Sequence, residues 1–383
     1  MKRKKLMTFI ATAALAAVAI SGVILLKGEK IKTISIDKAA EELKEYRFKT
    51  YSNLKFECAP KPLESDSLYV LKIKSPDDYE NDDDRNWHID YMANKEKELF
   101  EYEINKADIK SVIPSELEYY SQDEAHCALY PSHTFTFTDG KRFDPMLRES
   151  GDNNTDINTY TDLRDNESVK FDIKGKEIDL KKAAEYAEDA INKNLNDILN
   201  KEEKVKAADA ICVKDENGIS NYFVIRLQHT IEGVGVNENG YVAPYSSEGY
   251  IKPSYMLAYM TAENEIVSYV NNYYYKIVDK DKVSKIIPLS TATDILSNSL
   301  AKNLNYSVKA VELKYTTVVN GKYNKKKNDD IVEMRPMWSF ILFYGPAHSS
   351  QFINTTTAYV DAVTGIVYYC SYDNFEESEP ILN

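Results

Sequence analysis

The residues of this chain best suited to moving protons or holding a metal are its five histidines, His88, His126, His133, His229 and His348. None stands two or four positions from another, the spacings that bring two imidazoles to one face of a strand or a helix. His126 and Cys127 are adjacent, but neighbours on a strand point to opposite faces, which works against a nucleophile and base dyad. The histidines are therefore expected to be ordinary buried or surface residues. Gly-x-Ser-x-Gly, His-Glu-x-x-His, Cys-x-x-Cys and Walker-type patterns do not occur in the sequence, which removes the commonest hydrolase, metalloprotease and nucleotide readings. No catalytic residue is assigned, and neither a metal nor a cofactor is expected.

Two further clusters have chemical potential. Asp77, Asp78, Glu80, Asp82, Asp83 and Asp84 form an acidic run that gathers oxygens, as a calcium loop does, but it lacks the central glycine and the terminal bidentate glutamate of such a loop. A solvated acidic loop is the expectation. Gly233, Gly235, Gly240 and Gly249 fall in one connection, interleaved with Pro244 and with Tyr241, Tyr245 and Tyr250. Tyrosine gives a large contact area at small entropic cost, so Tyr241, Tyr245 and Tyr250 are the candidate ligand-binding residues. The plainer reading of the same segment is flexible filler in a long hairpin. The matching connection further on is Gly345 to Asn354.

The elements that must position these residues are written twice. Ile178 to Asn196 aligns without gaps on Ile287 to Asn305, and both read as helices of roughly five turns, opened by Asp179 and Pro288. Leu180, Ala183, Ala184, Ala187 and Ile191 form the apolar stripe of the first, and Leu289, Ala292, Leu296 and Leu300 that of the second. Three strand candidates follow each helix: Val205 to Val213, Tyr222 to Thr230 and Tyr255 to Tyr269, then Ser307 to Val319, Met337 to Tyr344 and Thr356 to Tyr369. Each third segment turns through a hairpin at Glu263-Asn264 or Val363-Thr364-Gly365, where Asn264 and Gly365 are expected to take positive φ. Arg335 and Trp338, three apart at a strand start, should face opposite ways, with Trp338 in the core. A weaker helix start lies at Ile34 to Ala40, followed by strand-like runs at Asn53 to Cys58, Ser67 to Lys74, Glu98 to Ile104 and Thr134 to Thr138. Gly151 to Glu167, rich in Asp, Asn and Thr, reads as a linker.

The fold class expected is α+β, an N-terminal transmembrane helix followed by at least two tandem helix-on-antiparallel-sheet modules. The expected divisions are 1–28 for a basic start and anchor, 29–172 for an α+β domain, 173–280 and 281–376 for the two repeats, and 377–383 for a tail. Twenty-nine tyrosines favour half-buried sheet. Four scattered cysteines, Cys58, Cys127, Cys212 and Cys370, suit neither a disulfide scaffold nor a zinc site, and buried thiols are expected, with one or two bridges left open.

The anchor is read from Lys2, Arg3, Lys4 and Lys5, followed by a charge-free run from Leu6 to Leu26. At ~1.5 Å per residue that run spans roughly the bilayer core, and the basic flank keeps the N-terminus in the cytoplasm. A cleaved signal peptide is the rival, because Ala17-Val18-Ala19 and Ala19-Ile20-Ser21 resemble cleavage sites; the run is longer than the usual h-region. The formal net charge is −13, and the segment after the anchor is more acidic still, because five of the 48 basic residues lie at or before Lys27. That composition argues against nucleic acid and against an anionic membrane face as partners.

Ala358 to Val367, reading Ala-Tyr-Val-Asp-Ala-Val-Thr-Gly-Ile-Val, resembles the strand hairpin of PepSY-like modules. With Arg335-Pro336-Met337-Trp338 upstream and one N-terminal anchor, the chain also looks like the YycH/YycI group of membrane-bound regulators of Gram-positive bacteria, over about residues 178–372. It departs from the PepSY pattern where Ile366 replaces an acidic residue and where the first copy has Asn264-Glu265. The resemblance implies a non-enzymatic role, either peptide binding and protease inhibition or restraint of a sensor kinase. The expected function is thus a single-pass, membrane-anchored extracytoplasmic binding or regulatory module contacting an envelope protein or peptide. The alternative is an envelope hydrolase whose catalytic carboxylates lie unrecognised among 61 acidic residues, which requires two carboxylates converging in a cleft.

Overall fold

The computed structural model describes residues 31–74, 82–113, 116–121, 125–130, 134–139, 141–143, 159–163, 169–196, 199–214, 218–242, 255–272, 275–318, 331–346 and 354–371. The basic start, the apolar run and most of the 151–167 linker lie outside these residues. Among the described residues no helix is long and apolar enough to cross a membrane. The chain is mixed α and β, mostly sheet with few helices.

In chain order the elements begin with β1 (Ile34–Ser35), α1 (Ile36–Lys44), β2 (Leu54–Phe56), β3 (Leu68–Lys74) and α2 (Asp82–Phe100). Next come β4 (Lys110–Ile113), β5 (Glu116–Ser121), β6 (Ala125–Tyr130), β7 (Thr134–Asp139), β8 (Thr159–Asp162), β9 (Lys170–Ile173), β10 (Lys176–Asp179) and α3 (Leu180–Asn194). Then follow β11 (Glu203–Lys214), β12 (Ser220–Ile231), β13 (Val234–Val242), β14 (Tyr255–Ala262), β15 (Glu265–Asn272), β16 (Lys276–Val283) and β17 (Lys285–Ile286). The last described elements are α4 (Leu289–Ser299), β18 (Leu304–Val318), β19 (Val332–Pro346), β20 (Asn354–Asp361) and β21 (Val367–Ser371). These elements form two compact units that interleave in sequence, one of residues 75–231 with 253–276, the other of 1–74, 232–252 and 277–383.

The 75–231 unit is built on one antiparallel sheet in the order β8, β11, β12, β14, β15, β7, β6, β5, β4. Strands of period two put Phe223, Ile225 and Leu227 of β12 and Met256 and Ala258 of β14 on one face, where α2 and α3 cover them. Each of the larger of these, Phe223, Ile225, Leu227 and Met256, removed wholly from water, contributes about 1.5–3 kcal/mol. The opposite face carries a smaller cluster of Val213, Tyr222, Val224 and Val267. Helix α3 begins where the sequence says it should: Asp179 accepts from the Lys181 and Lys182 N–H groups at 3.0 and 3.4 Å. The hairpin feeding it turns on Lys174 and Gly175, both with positive φ.

In the other unit β18 pairs antiparallel with β19, β19 with β20, and β20 with β21. The far side of β18 is lined in parallel by β2 at Tyr306 to Val308 and by β13 towards Val318. Helix α4 packs on β20 and β21, and the Trp338 indole N–H, wholly buried, donates to the Ile287 carbonyl at 2.8 Å. Trp338 is a core residue, as its spacing predicts.

The two meanders that follow α3 and α4 share one register. Cys212 faces Phe223, which faces Met260; Leu313 faces Trp338, which faces Val360. Tyr259 faces Ser268 and Tyr359 faces Tyr368. Even the first bulge coincides, skipping Ala208 in β11 and Lys309 in β18.

Four local expectations are corrected. Glu98 to Ile104 is no strand; Glu98 to Phe100 finish α2, whose Met92, Ala93, Leu99 and Phe100 meet the core at helical spacing. The acidic run is not wholly a loop, because Asp82, Asp83 and Asp84 open α2, while Asp77, Asp78 and Glu80 lie outside the described residues. Helices α3 and α4 are shorter than five turns, at 15 and 11 residues. Ser297, Asn298 and Ser299 are weak helix formers, and Leu300 is already extended. Asn264 is not among the residues of positive φ, whereas Gly365 is, at +79°.

Candidate functional site

Of the candidate ligand residues, Tyr241 stands near the end of β13 and pairs in register with Thr317. Tyr245 and Tyr250 lie outside the described residues, as does most of the Gly345 to Asn354 connection. Among the described residues the structure brings together polar side chains from separate elements, and three of these clusters have the residue types for chemistry.

The first sits on the hairpin between β20 and β21. Asp361, wholly buried at the end of β20, accepts from the Val363 and Thr364 backbone N–H groups at 2.8 and 3.0 Å through Oδ1. Its Oδ2 accepts from Arg335 Nη1 at 3.1 Å, and Arg335 Nε donates to Glu333 at 2.8 Å. Burial opposes the guanidinium charge, but Glu333 and Asp361 outweigh it and raise the Arg335 pKa. Gly365 closes the turn. A Cβ there would lie 2.9 Å from Ile31, 3.2 Å from Ile287 and 3.4 Å from Ile295, so glycine serves both the left-handed backbone and the packing beneath α4. The Asp-x-x-Thr-Gly pattern thus has a structural account in full.

The second cluster is Glu203, His229 and Tyr275. His229 Nε2 lies 3.1 Å from Glu203 Oε1, both side chains are wholly buried, and the His229 Nδ1 side meets the Tyr275 hydroxyl. Glu203 Oε2 also accepts from the Asn200 backbone N–H at 2.8 Å. Burial pushes the Glu203 carboxyl up, yet His229 and Asn200 outweigh it and hold it below the ordinary range. Acid, imidazole and phenol in line make a proton relay in type, but no member reaches solvent to meet a substrate.

The third is half-exposed. Tyr51 donates to Asp294 at 2.8 Å and to Thr293 at 3.0 Å, and Lys49 donates to Asp294 at 2.7 Å. Tyr46, Phe48 and Phe56 pack beside it, the two phenylalanines stacked at 3.7 Å. This cluster fastens residues 46–56 to α4, and burial raises the Tyr51 phenol.

The remaining shifted carboxylates among the described residues answer to local hydrogen bonds or to burial. Hydrogen bonds from Lys309, Lys55 and Ser307 lower Glu57 to about 2, Lys97 lowers Glu103, and Lys72 with the Lys280 backbone N–H lowers Asp279. Burial raises Glu188, whose carboxylate accepts from the Ala207 N–H at 2.7 Å. Among the described residues no group of three or more His, Cys, Asp or Glu side chains could hold a metal ion. Cys212 is buried and donates to Ser220 at 3.1 Å, Cys127 is buried, and Cys58 is half-buried.

Sequence reading missed these clusters because each joins residues far apart in the chain. The one available signal was hairpin register: once β11 and β12 pair, Val205 faces His229, and Glu203 follows two residues along.

No protein-family model matches the chain, and no curated protein matches it. Its fold is similar to a crystal structure of an uncharacterized protein from Eubacterium rectale ATCC 33656, with a TM-score of 0.52 and 11% identity. The match covers 87% of this chain and 98% of that one. At that identity the likeness concerns the fold alone.

Proposed function

We propose that the chain is a membrane-anchored extracytoplasmic binding or regulatory protein that contacts an envelope protein or peptide and performs no catalysis. The observation that carries this reading is the N-terminal sequence, four basic residues and then a charge-free run to Leu26, followed by a long acidic chain. It is supported by the two helix-and-meander units of common register, which we take as copies of one module in keeping with the PepSY-like resemblance. It is supported also by the roles of the ionisable residues. Asp361 and Arg335 fasten a hairpin, and Glu203 and His229 lie in a core. A hydrolase would instead place a carboxylate pair at an open surface, whereas among the described residues the shifted carboxylates face lysine, serine, asparagine, histidine or a backbone N–H.

The reading is tested by expressing the full chain in a Gram-positive host, extracting membranes at alkaline pH and shaving intact cells with protease. The protein should stay with the membrane and lose its C-terminal region to external protease. Release into the soluble fraction, or protection of that region in intact cells, refutes it.

A further inference from the structure

We propose that α2 is a detachable cover, which undocks from the sheet of the 75–231 unit under native conditions while α3 stays in place, and so uncovers Cys127, Phe137 and Tyr269. The inference goes beyond the binding role proposed above and does not depend on it.

The two helices divide one face of the sheet between them. Helix α3 lies on β11 and β12, and α2 lies on β6 and β7. A single row of paired residues runs beneath both: Ala210 faces Ile225, Ile225 faces Ala258, Ala258 faces Tyr269, Tyr269 faces Phe137 and Phe137 faces Cys127. Every member of the row is buried in the same core.

Helix α3 meets its half of that face with Leu180, Ala183, Ala184, Ala187 and Ile191. Polar side chains then fasten it to β11. Glu188 accepts from the Ala207 N–H at 2.7 Å, and Asn192 accepts from the Val205 N–H and donates to the Val205 carbonyl at 2.8 Å each.

Helix α2 meets the other half at a cost. Tyr91, Met92, Lys95 and Leu99 recur at helical spacing, so a lysine occupies a position of the core stripe. Lys95 is 3% exposed, and its ammonium lies 5.5 Å from the Tyr91 ring and donates at 3.1 Å to Glu98, a partner on the same helix. Beneath α2 the Tyr269 ring lies parallel to Phe137 at 6.2 Å, and its hydroxyl, wholly buried, has no hydrogen-bond partner among the described residues. Burial, with Tyr91 adding to it, raises the Tyr269 pKa. At the end of α2, Glu101 takes the left-handed backbone, φ +57°, that glycine usually supplies there. A desolvated amine, an unmade hydrogen bond and a left-handed glutamate all oppose docking. Undocking relieves all three, because Lys95 and Tyr269 regain water and Glu101 is released, while the bonds that fasten α3 are kept. Local stability is therefore lowest where α2 covers the sheet.

Two buried thiols on this face report the two halves separately, Cys127 under α2 and Cys212 under α3. The test is alkylation of the full chain in native buffer, with the peptides carrying each thiol quantified by mass spectrometry and each rate divided by that of the same thiol in the urea-unfolded chain. Cys127 should react about tenfold or more faster than Cys212. Lys95→Met keeps the length of the side chain and removes its charge, and should slow Cys127 by about tenfold. Asn192→Ala loosens α3, which is docked in both the closed and the open form, and should speed Cys212 by about tenfold while leaving Cys127 unchanged. The inference is overturned if Cys127 reacts no faster than Cys212, if Asn192→Ala speeds both thiols equally, or if Lys95→Met leaves Cys127 as reactive as in the wild type.

Discussion

Asp361 commits both carboxylate oxygens to structure, one to two backbone N–H groups and one to Arg335. Removing a buried partner of a charged pair leaves the other uncompensated, so Asp361→Ala should lower the free energy of unfolding in urea by about 3 kcal/mol. A loss below about 1 kcal/mol would mean that the hairpin does not depend on this carboxylate. Glu203 makes a prediction in pH. Its folded carboxyl lies below the ordinary 4.5, so its contribution is present in full above that value and is lost as pH falls through the lower folded one. Acid unfolding of the wild type should therefore steepen below pH 4.5, and Glu203→Gln should be less stable near neutrality with a flatter acid limb. An unchanged limb contradicts the assignment. At this scale the sequence made Trp338 legible as core and Asp179 as a cap, because both follow from local spacing. Glu203, His229 and Tyr275 were not legible as a group, because only tertiary pairing joins residues with other elements between them.

At the scale of elements, two glycines with similar φ make a controlled comparison. Gly175 has nothing within 4 Å of a would-be Cβ, so Gly175→Ala should cost only the backbone strain, about 1 kcal/mol. Gly365→Ala adds a close approach to three isoleucines beneath α4 and should cost roughly 1–3 kcal/mol more. Equal losses in thermal or urea melts would show that the hairpin does not pack as described. Asn192→Ala should expose both hydrogen-bonding groups of Val205, costing about 1–2 kcal/mol and raising amide exchange at Val205 itself. The apolar stripe of α3 and the alternating strands were readable from period alone. What misled was length and neighbourhood: α4 stops early on Ser and Asn, and Glu98 to Phe100 read as strand until the preceding turns of α2 are seen to carry the same face.

The whole molecule is two interleaved units, each containing one helix-and-meander of common register. The likeness of the two segments was legible because their helix starts, and separately their hairpins, align without gaps. The interleaving was not, because residues 29–172 contribute to both units and strand partners such as β7 and β15 are far apart in sequence. Under the proposed reading, the acidic chain of net charge −13 behind a basic, apolar start meets proteins near the membrane, and its charge suits nucleic acid poorly. The most direct measurement of that account is photo-crosslinking of the full chain in living membranes, with the reactive group placed at several exposed positions, Ile219, Ile331 and Ile366 among them. The account predicts a discrete adduct with another envelope protein from at least one position. Recovery of the chain alone from every position, at yields that match a non-irradiated control, would contradict it.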